Sequence, residues 1–314
     1  MNDRRRAGLG ITYILASGLC FGTMPIFARL AYAAGLDPAS LLLLRFAIAA
    51  ACMWVLFLRR RLTLPRGRGL ALLVGMGAVG YAGQAFCYFT AVTMASVGLV
   101  ALLLYLYPAL VTLLAWAVLR HKLTGLQVAG VAIALLGSAL TIGRAGDGKP
   151  LGIALGLGAA LIYSCYILIG SRIPAAISPT ASTTVITSSA ALTYAGAALF
   201  RGVRWPATPT GWGAVAGVAL VSTVMAILFF FEGLERVGPV RASVYSTVEP
   251  VFTLVLAALM LGERVTLLRL AGGGLILAAV VLLAREELRA AAAAAKSPAD
   301  RPPTPAVPQP TAGG

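Results

Sequence analysis

The sequence is short of the side chains that carry most polar chemistry. Its 314 residues contain one histidine, three lysines, four cysteines and ten acidic residues. His121 stands between Arg120 and Lys122 in a basic stretch, so there is no HExxH motif and no histidine-based metal cluster. Asp3, Asp37, Asp147 and Asp300 all fall between or beyond the apolar runs, which excludes an intramembrane aspartate pair. Lys122, Lys149 and Lys296 do the same, which excludes a retinal Schiff base. Cys20, Cys52, Cys87 and Cys165 lie singly inside apolar runs with no CxxC spacing, and read as helix-packing residues. Charged residues make up 11% of the chain, against about 25% in an ordinary soluble domain. With a mean hydropathy of +0.91, that scarcity excludes a water-soluble fold.

What is abundant is apolar length. Runs bounded by charge and turn clusters predict ten membrane helices, at about 8–33, 39–58, 68–91, 96–119, 124–143, 151–171, 180–200, 211–234, 240–261 and 267–284. The first run follows Arg4, Arg5 and Arg6. It exceeds the 7 to 15 residues of a signal-peptide core and contains Arg29, so it reads as a retained span. Residues 286–314 carry an alanine run and six of the seventeen prolines, and read as a disordered cytoplasmic tail.

The formal charge of +15 comes as small clusters between apolar runs, with no basic stripe interleaved with aromatics, so no nucleic-acid partner is implied. Assigning the loops alternately to two sides puts seventeen basic residues on the side of the N-terminus and seven on the other, with Arg45 inside a span. The excess of Lys and Arg marks the cytoplasmic side. Both termini are therefore expected there.

Shifted on itself by 142 residues, the chain matches Pro108 with Pro250, Gly69 with Gly211, Gly75 with Gly217, and Thr124 with Thr266. Leu114-Ala115 then falls on Leu256-Ala257 and Ala129-Gly130 on Ala271-Gly272. The expected organisation is a short N-terminus at 1–7, a five-helix unit at 8–143, a connection at 144–150, and a second unit at 151–285. An odd number of spans per unit forces the second to enter the membrane from the opposite side. The fold class expected is thus an all-α integral membrane protein of ten transmembrane helices in two inverted five-helix repeats. Such repeats recur in secondary transporters.

The sequence resembles the drug/metabolite transporter superfamily, in its EamA-domain branch of ten-helix permeases and exporters. The resemblance covers residues 8–285 and is carried by Arg45-Phe46, the stretch from Ala95 to Pro108, Val248-Glu249-Pro250-Val251, Leu261-Gly262-Glu263 and Gly272-Gly273. The first half departs from the pattern, with Arg120-His121 where Gly262-Glu263 would predict Gly-Glu. The resemblance implies transport of a small metabolite or drug through a cavity between the halves, with export coupled to a proton gradient, in a cytoplasmic membrane. It implies no cofactor.

Glu249 is the carboxylate deepest in a predicted span, where an unpaired charge costs about 2.5–3.5 kcal/mol. Its neighbour Pro250 cannot donate to the Ser246 carbonyl, which predicts a kink. Pro108 is its repeat mate. Tyr245, Glu249 and Thr253 share a helix face. Two readings of Glu249 stand open: a proton- or substrate-handling acid, since a poorly partnered buried carboxyl readily takes up a proton, or a clamp paired with Arg45 or tyrosine hydroxyls. Arg45 has three readings: a fixed structural partner, a contact for an anionic substrate, or a side chain snorkelling to the interface. Tyr81, Gln84 and Tyr88 form one amphipathic face of helix three, and Phe21, Tyr105, Tyr107, Tyr163 and Tyr166 are candidate cavity walls or packing aromatics. The rival classes are a membrane-embedded enzyme, for which no nucleophile-base, carboxylate or metal set is present, and a channel or receptor, for which no filter sequence is present.

Overall fold

A computed structural model describes residues 3–120, 123–142, 148–174 and 176–296. These residues are helical apart from short connections and one isolated bridge between Ala95 and Gly148. A bilayer leaves no other outlet for backbone polar groups. Nine described stretches are long and apolar enough to cross a bilayer, and a tenth, Val248–Leu261, has 14 residues.

The chain runs α1 (Asp3–Gly22), α2 (Met24–Ala33), α3 (Pro38–Arg59), α4 (Gly67–Gly75), a π-helical segment Met76–Tyr81, α5 (Ala82–Met94), α6 (Val97–Leu104), α7 (Tyr107–Leu119) and α8 (Gly125–Ile142). It continues with α9 (Pro150–Gly170), α10 (Pro179–Arg201), α11 (Pro209–Ala216), a second π segment Gly217–Met225, α12 (Ala226–Ser246), α13 (Val248–Leu261) and α14 (Leu267–Lys296).

Three predicted spans are broken, each beside a proline. Pro25, Pro108 and Pro250 occupy the first turns of α2, α7 and α13, directly after breaks at Thr23, Tyr105-Leu106 and Thr247. Proline lacks the amide needed to continue a helix but fits its first turn. The break at Thr23 falls inside the span expected to run unbroken from 8 to 33. Thr23 Oγ1 donates to the Cys20 carbonyl at 2.6 Å there. Two other expectations change. α12 keeps helical turns across 235–239, where a gap between spans was predicted. α14 continues to Lys296 instead of ending near 284, because alanine has the highest helix propensity. Of the predicted tail, 297–314 lies outside the described residues.

Architecture repeats where sequence repeats. The starts of α11 and α14 and the end of α13 lie 142 residues beyond those of α4, α8 and α7. The break at Thr247 follows Tyr105 at that interval, and Gly262 (φ +65°) follows Arg120 (φ +53°), both left-handed residues ending a helix. The two π segments also overlap at this spacing.

Small residues set the helix contacts, as expected where apolar lipid provides no hydrophobic drive. A Cβ on Gly233 would stand 2.6 Å from Ile14 in α1. Ser17 donates to Ala226 O at 2.8 Å and Thr23 pairs with Ser222 at 2.8 Å, so α12 and its π segment run antiparallel to the first span. Gly18 faces Glu249 and Gly22 faces Thr253, so α13 runs parallel to it. The chain therefore reverses between 237 and 249.

Candidate substrate cavity

Arg45 lies two turns into α3 and is 2% exposed. Its Nε–H donates to Thr223 Oγ1 at 2.9 Å and its second terminal nitrogen to the Tyr81 hydroxyl at 3.0 Å. Three rings face the guanidinium, with centroids 4.9 Å (Phe46), 5.2 Å (Phe89) and 5.7 Å (Tyr81) from its central carbon. Arginine keeps its charge even when buried, and aromatic faces with oriented hydroxyls offset part of the desolvation. Thr223 is oriented by donating to Val218 O at 2.8 Å within its π segment. Tyr81 ends the other π segment, and the two are repeat mates. One cation is thus held between corresponding points of the two halves. π-Helical turns redirect side chains in this way.

From Tyr81 a line of rings crosses the bundle. Tyr81 and Tyr166 have centroids 6.1 Å apart, Tyr166 and Tyr163 stack at 6.1 Å, Tyr163 meets Tyr107 edge-on at 4.9 Å, and Tyr107 lies 6.0 Å from Tyr105. The line ends beside Glu249, whose carboxylate lies within electrostatic reach of the Tyr105 hydroxyl. That hydroxyl donates to Ser246 O at 3.5 Å, the carbonyl that Pro250 leaves without an amide donor. Glu249 itself is half-buried in the first turn of α13, where the helix dipole favours an anion. Gly18 lets α1 pass within 3.6 Å of the Glu249 backbone, measured from an ideal Cβ.

The wall draws on the first π segment, α5, the break between α6 and α7, α7, α9 and α13. Tyr88, 7% exposed, packs its ring on Phe89, 5.7 Å away, and lies within the electrostatic reach of both Arg45 and Glu249. The other expected residues stand apart. Thr253 is buried and donates to Gly22 O at 3.3 Å, which ties it to the first span instead of a cavity. Tyr245 is half-buried one turn before Glu249, with no ring contact among the described residues. Gln84 is buried on α5, and Phe21 is half-buried on α1 between Gly18 and Gly22. Phe46, Phe89 and Thr223 are site residues that sequence reasoning left out of the cavity. The 142-residue interval from Tyr81 was the signal for Thr223; nothing local marked Phe89.

A separate cavity of about 360 Å³ is lined by Asp37, Ser40, Thr90, Tyr194, Arg201 and Arg204. Its Tyr194 stacks on Phe46 at 5.8 Å, one ring from Arg45. Among the described residues no three His, Cys, Asp or Glu side chains converge to hold a metal.

Tyr105→Phe removes the hydroxyl that stands beside Glu249 and keeps the ring. Hydrogen bonds to charged groups are worth about 1.5–3 kcal/mol, so transport activity should fall by about tenfold. Unchanged activity at normal expression would show that this hydroxyl carries nothing functional.

Apolar helices broken at prolines around a buried cation, a half-buried acid and a wall of tyrosines define a multi-pass membrane protein of the transporter class. The chain belongs to the EamA-like transporter family, whose profile matches residues 8–143 and again 150–285. It is 27% identical over 292 residues to the uncharacterized transporter YcbK of Bacillus subtilis (strain 168), covering 85% of this chain and 90% of that one. A second uncharacterized transporter of that organism, YyaM, is 26% identical over 258 residues, or 78% of this chain and 84% of its own. A solved crystal structure superposes with a TM-score of 0.62 at 22% identity, covering 88% of this chain and 98% of its own, a likeness of fold.

Proposed function

We propose that this membrane transporter moves a small organic solute out across the cytoplasmic membrane by alternating access, in exchange for a proton. Five spans per half make the halves antiparallel. Exchange of their conformations then opens a central site to one side or the other. Both termini are cytoplasmic in this reading, supported by the distribution of basic residues.

The observation that carries the proposal is Glu249. It is an acid within the bundle, at a helix break, beside the Tyr105 hydroxyl and not ion-paired with Arg45. A carboxyl in that setting can hold either a proton or a cationic group, which gives the exchange its chemistry. The tyrosine wall suits an amphipathic solute, cationic or zwitterionic.

The test uses purified protein in liposomes carrying an internal pH dye, challenged with a mixed metabolite and cation library. Solute-triggered proton movement is expected, and it should disappear in Glu249→Gln. Solute movement in that variant with unchanged pH dependence would overturn the role of Glu249.

A further inference from the structure

One end of the bundle is fastened by a contact between the halves that the other end lacks in sequence. Gly262, at φ +65°, turns the chain off α13, and the Glu263 amide returns to Ala257 O at 3.2 Å. The Glu263 side chain is thereby aimed across to the first half. Oε1 accepts the Val97 amide at 2.6 Å and Oε2 the Gly98 amide at 3.1 Å. These are the first two amides of α6, whose own N-cap, Ser96, makes no capping bond. A carboxylate there satisfies two orphan donors and meets the positive end of the helix dipole. Arg269, 2% exposed on α14, stands 4.0 Å from Oε2 and donates to Arg264 O at 3.2 Å, which holds the loop in place.

The corner that Glu263 reaches is where other connections meet. Arg29 donates to Ala95 O at 2.8 Å, and the Lys149 amide donates to Met94 O at 2.9 Å. Gly98 makes the approach feasible, because a Cβ there would lie 2.8 Å from Leu254. One repeat earlier, the residues corresponding to Gly262-Glu263 are Arg120-His121. The left-handed turn recurs at Arg120, but no carboxylate follows it.

We propose that Glu263 is the latch of a gate, closing the 94–98 end of the central cavity by tying the second half to α6. The cycle breaks this tie each time that end opens. With no acid at the mate position, the unloaded protein rests with the 94–98 end shut. The inference rests on the alternating-access reading above, and the cytoplasmic termini of that reading make this the outer end.

The experiment reads access, not transport. In full-length protein with the four native cysteines replaced and Tyr163→Cys as reporter, a membrane-impermeant maleimide is applied from either face of oriented vesicles. Glu263→Ala should raise labelling from the 94–98 face by about tenfold, the scale of a lost charge-assisted bond, and lower it from the opposite face. Glu263→Gln, which keeps one acceptor, should give a smaller change of the same sign and covers the case in which the alanine variant does not fold. Labelling unchanged from both faces, with one-sided access in the parent, overturns the latch and leaves alternating access standing. Equal labelling from both faces in the parent overturns alternating access, and the latch with it. A rise from the 94–98 face with no fall from the other means local fraying, and also overturns the latch.

Discussion

Leucine at Gly272 is expected to abolish accumulation of folded protein. α8 and α14 touch through their backbones at this point. A Cβ on Gly272 would stand 2.5 Å from Gly137 O and 2.7 Å from the Thr141 amide, and one on Gly137 would stand 2.7 Å from Gly272 O. Those neighbours are main-chain atoms of a continuous helix, so no side-chain tip can swing aside. Thr141 Oγ1 is already committed to Gly137 O at 2.8 Å. Farther along, Gly130 receives the Leu283 side chain, a Cβ there standing 2.8 Å from its Cδ2. Separating the pair forfeits its van der Waals contact along the whole interface, the main attraction between helices in lipid. The cost should exceed about 4 kcal/mol, the range reserved for severe core overpacking. Gly274 is the internal control, since a Cβ there meets nothing within 4 Å. Gly274→Leu should purify as a single species with unchanged thermal stability. Parental stability in Gly272→Leu would mean that the α8–α14 contact is looser than described.

The spans were legible because bilayer thickness and backbone satisfaction leave few choices. Predicted and observed ends agree within three residues for α3, α8, α9 and α10. The breaks were legible only in part. Pro250 announced the one before α13, whereas Pro25 lay in a run whose apolar length dominated the reading. The π segments have no composition of their own, so Tyr81 and Thr223 could not be seen converging on Arg45. Pairing in space was also hidden: Arg45 and Glu249 are opposite charges in one bundle, yet hydroxyls and rings hold the arginine and the acid stands beside Tyr105 instead. Glu263 was read only as part of a motif whose first-half counterpart is His121. Its partners are the amides of α6 in the other half, so the missing mate leaves this contact intact and makes the two ends unequal.

Glu249→Gln is expected to leave the fold intact and to stop gradient-driven transport, by at least about tenfold. Glutamine has nearly the same shape, so little packing is lost. What changes is charge. A glutamine is permanently in the state of a protonated acid, so it can occupy the site but cannot release a proton to complete a coupled cycle. Solute exchange driven by solute alone, measured as counterflow with equal pH on both sides, should therefore persist while uphill movement driven by a pH step is lost. The other roles for the residue give different patterns. If the carboxylate pairs with a cationic group of the solute, counterflow is lost together with driven transport, because binding itself fails. If the residue only clamps the bundle through Tyr105, both activities survive and thermal stability drops, with Tyr105→Phe producing the same drop. Two flux modes and one melting curve thus separate a coupling acid, a binding acid and a structural one at the same position.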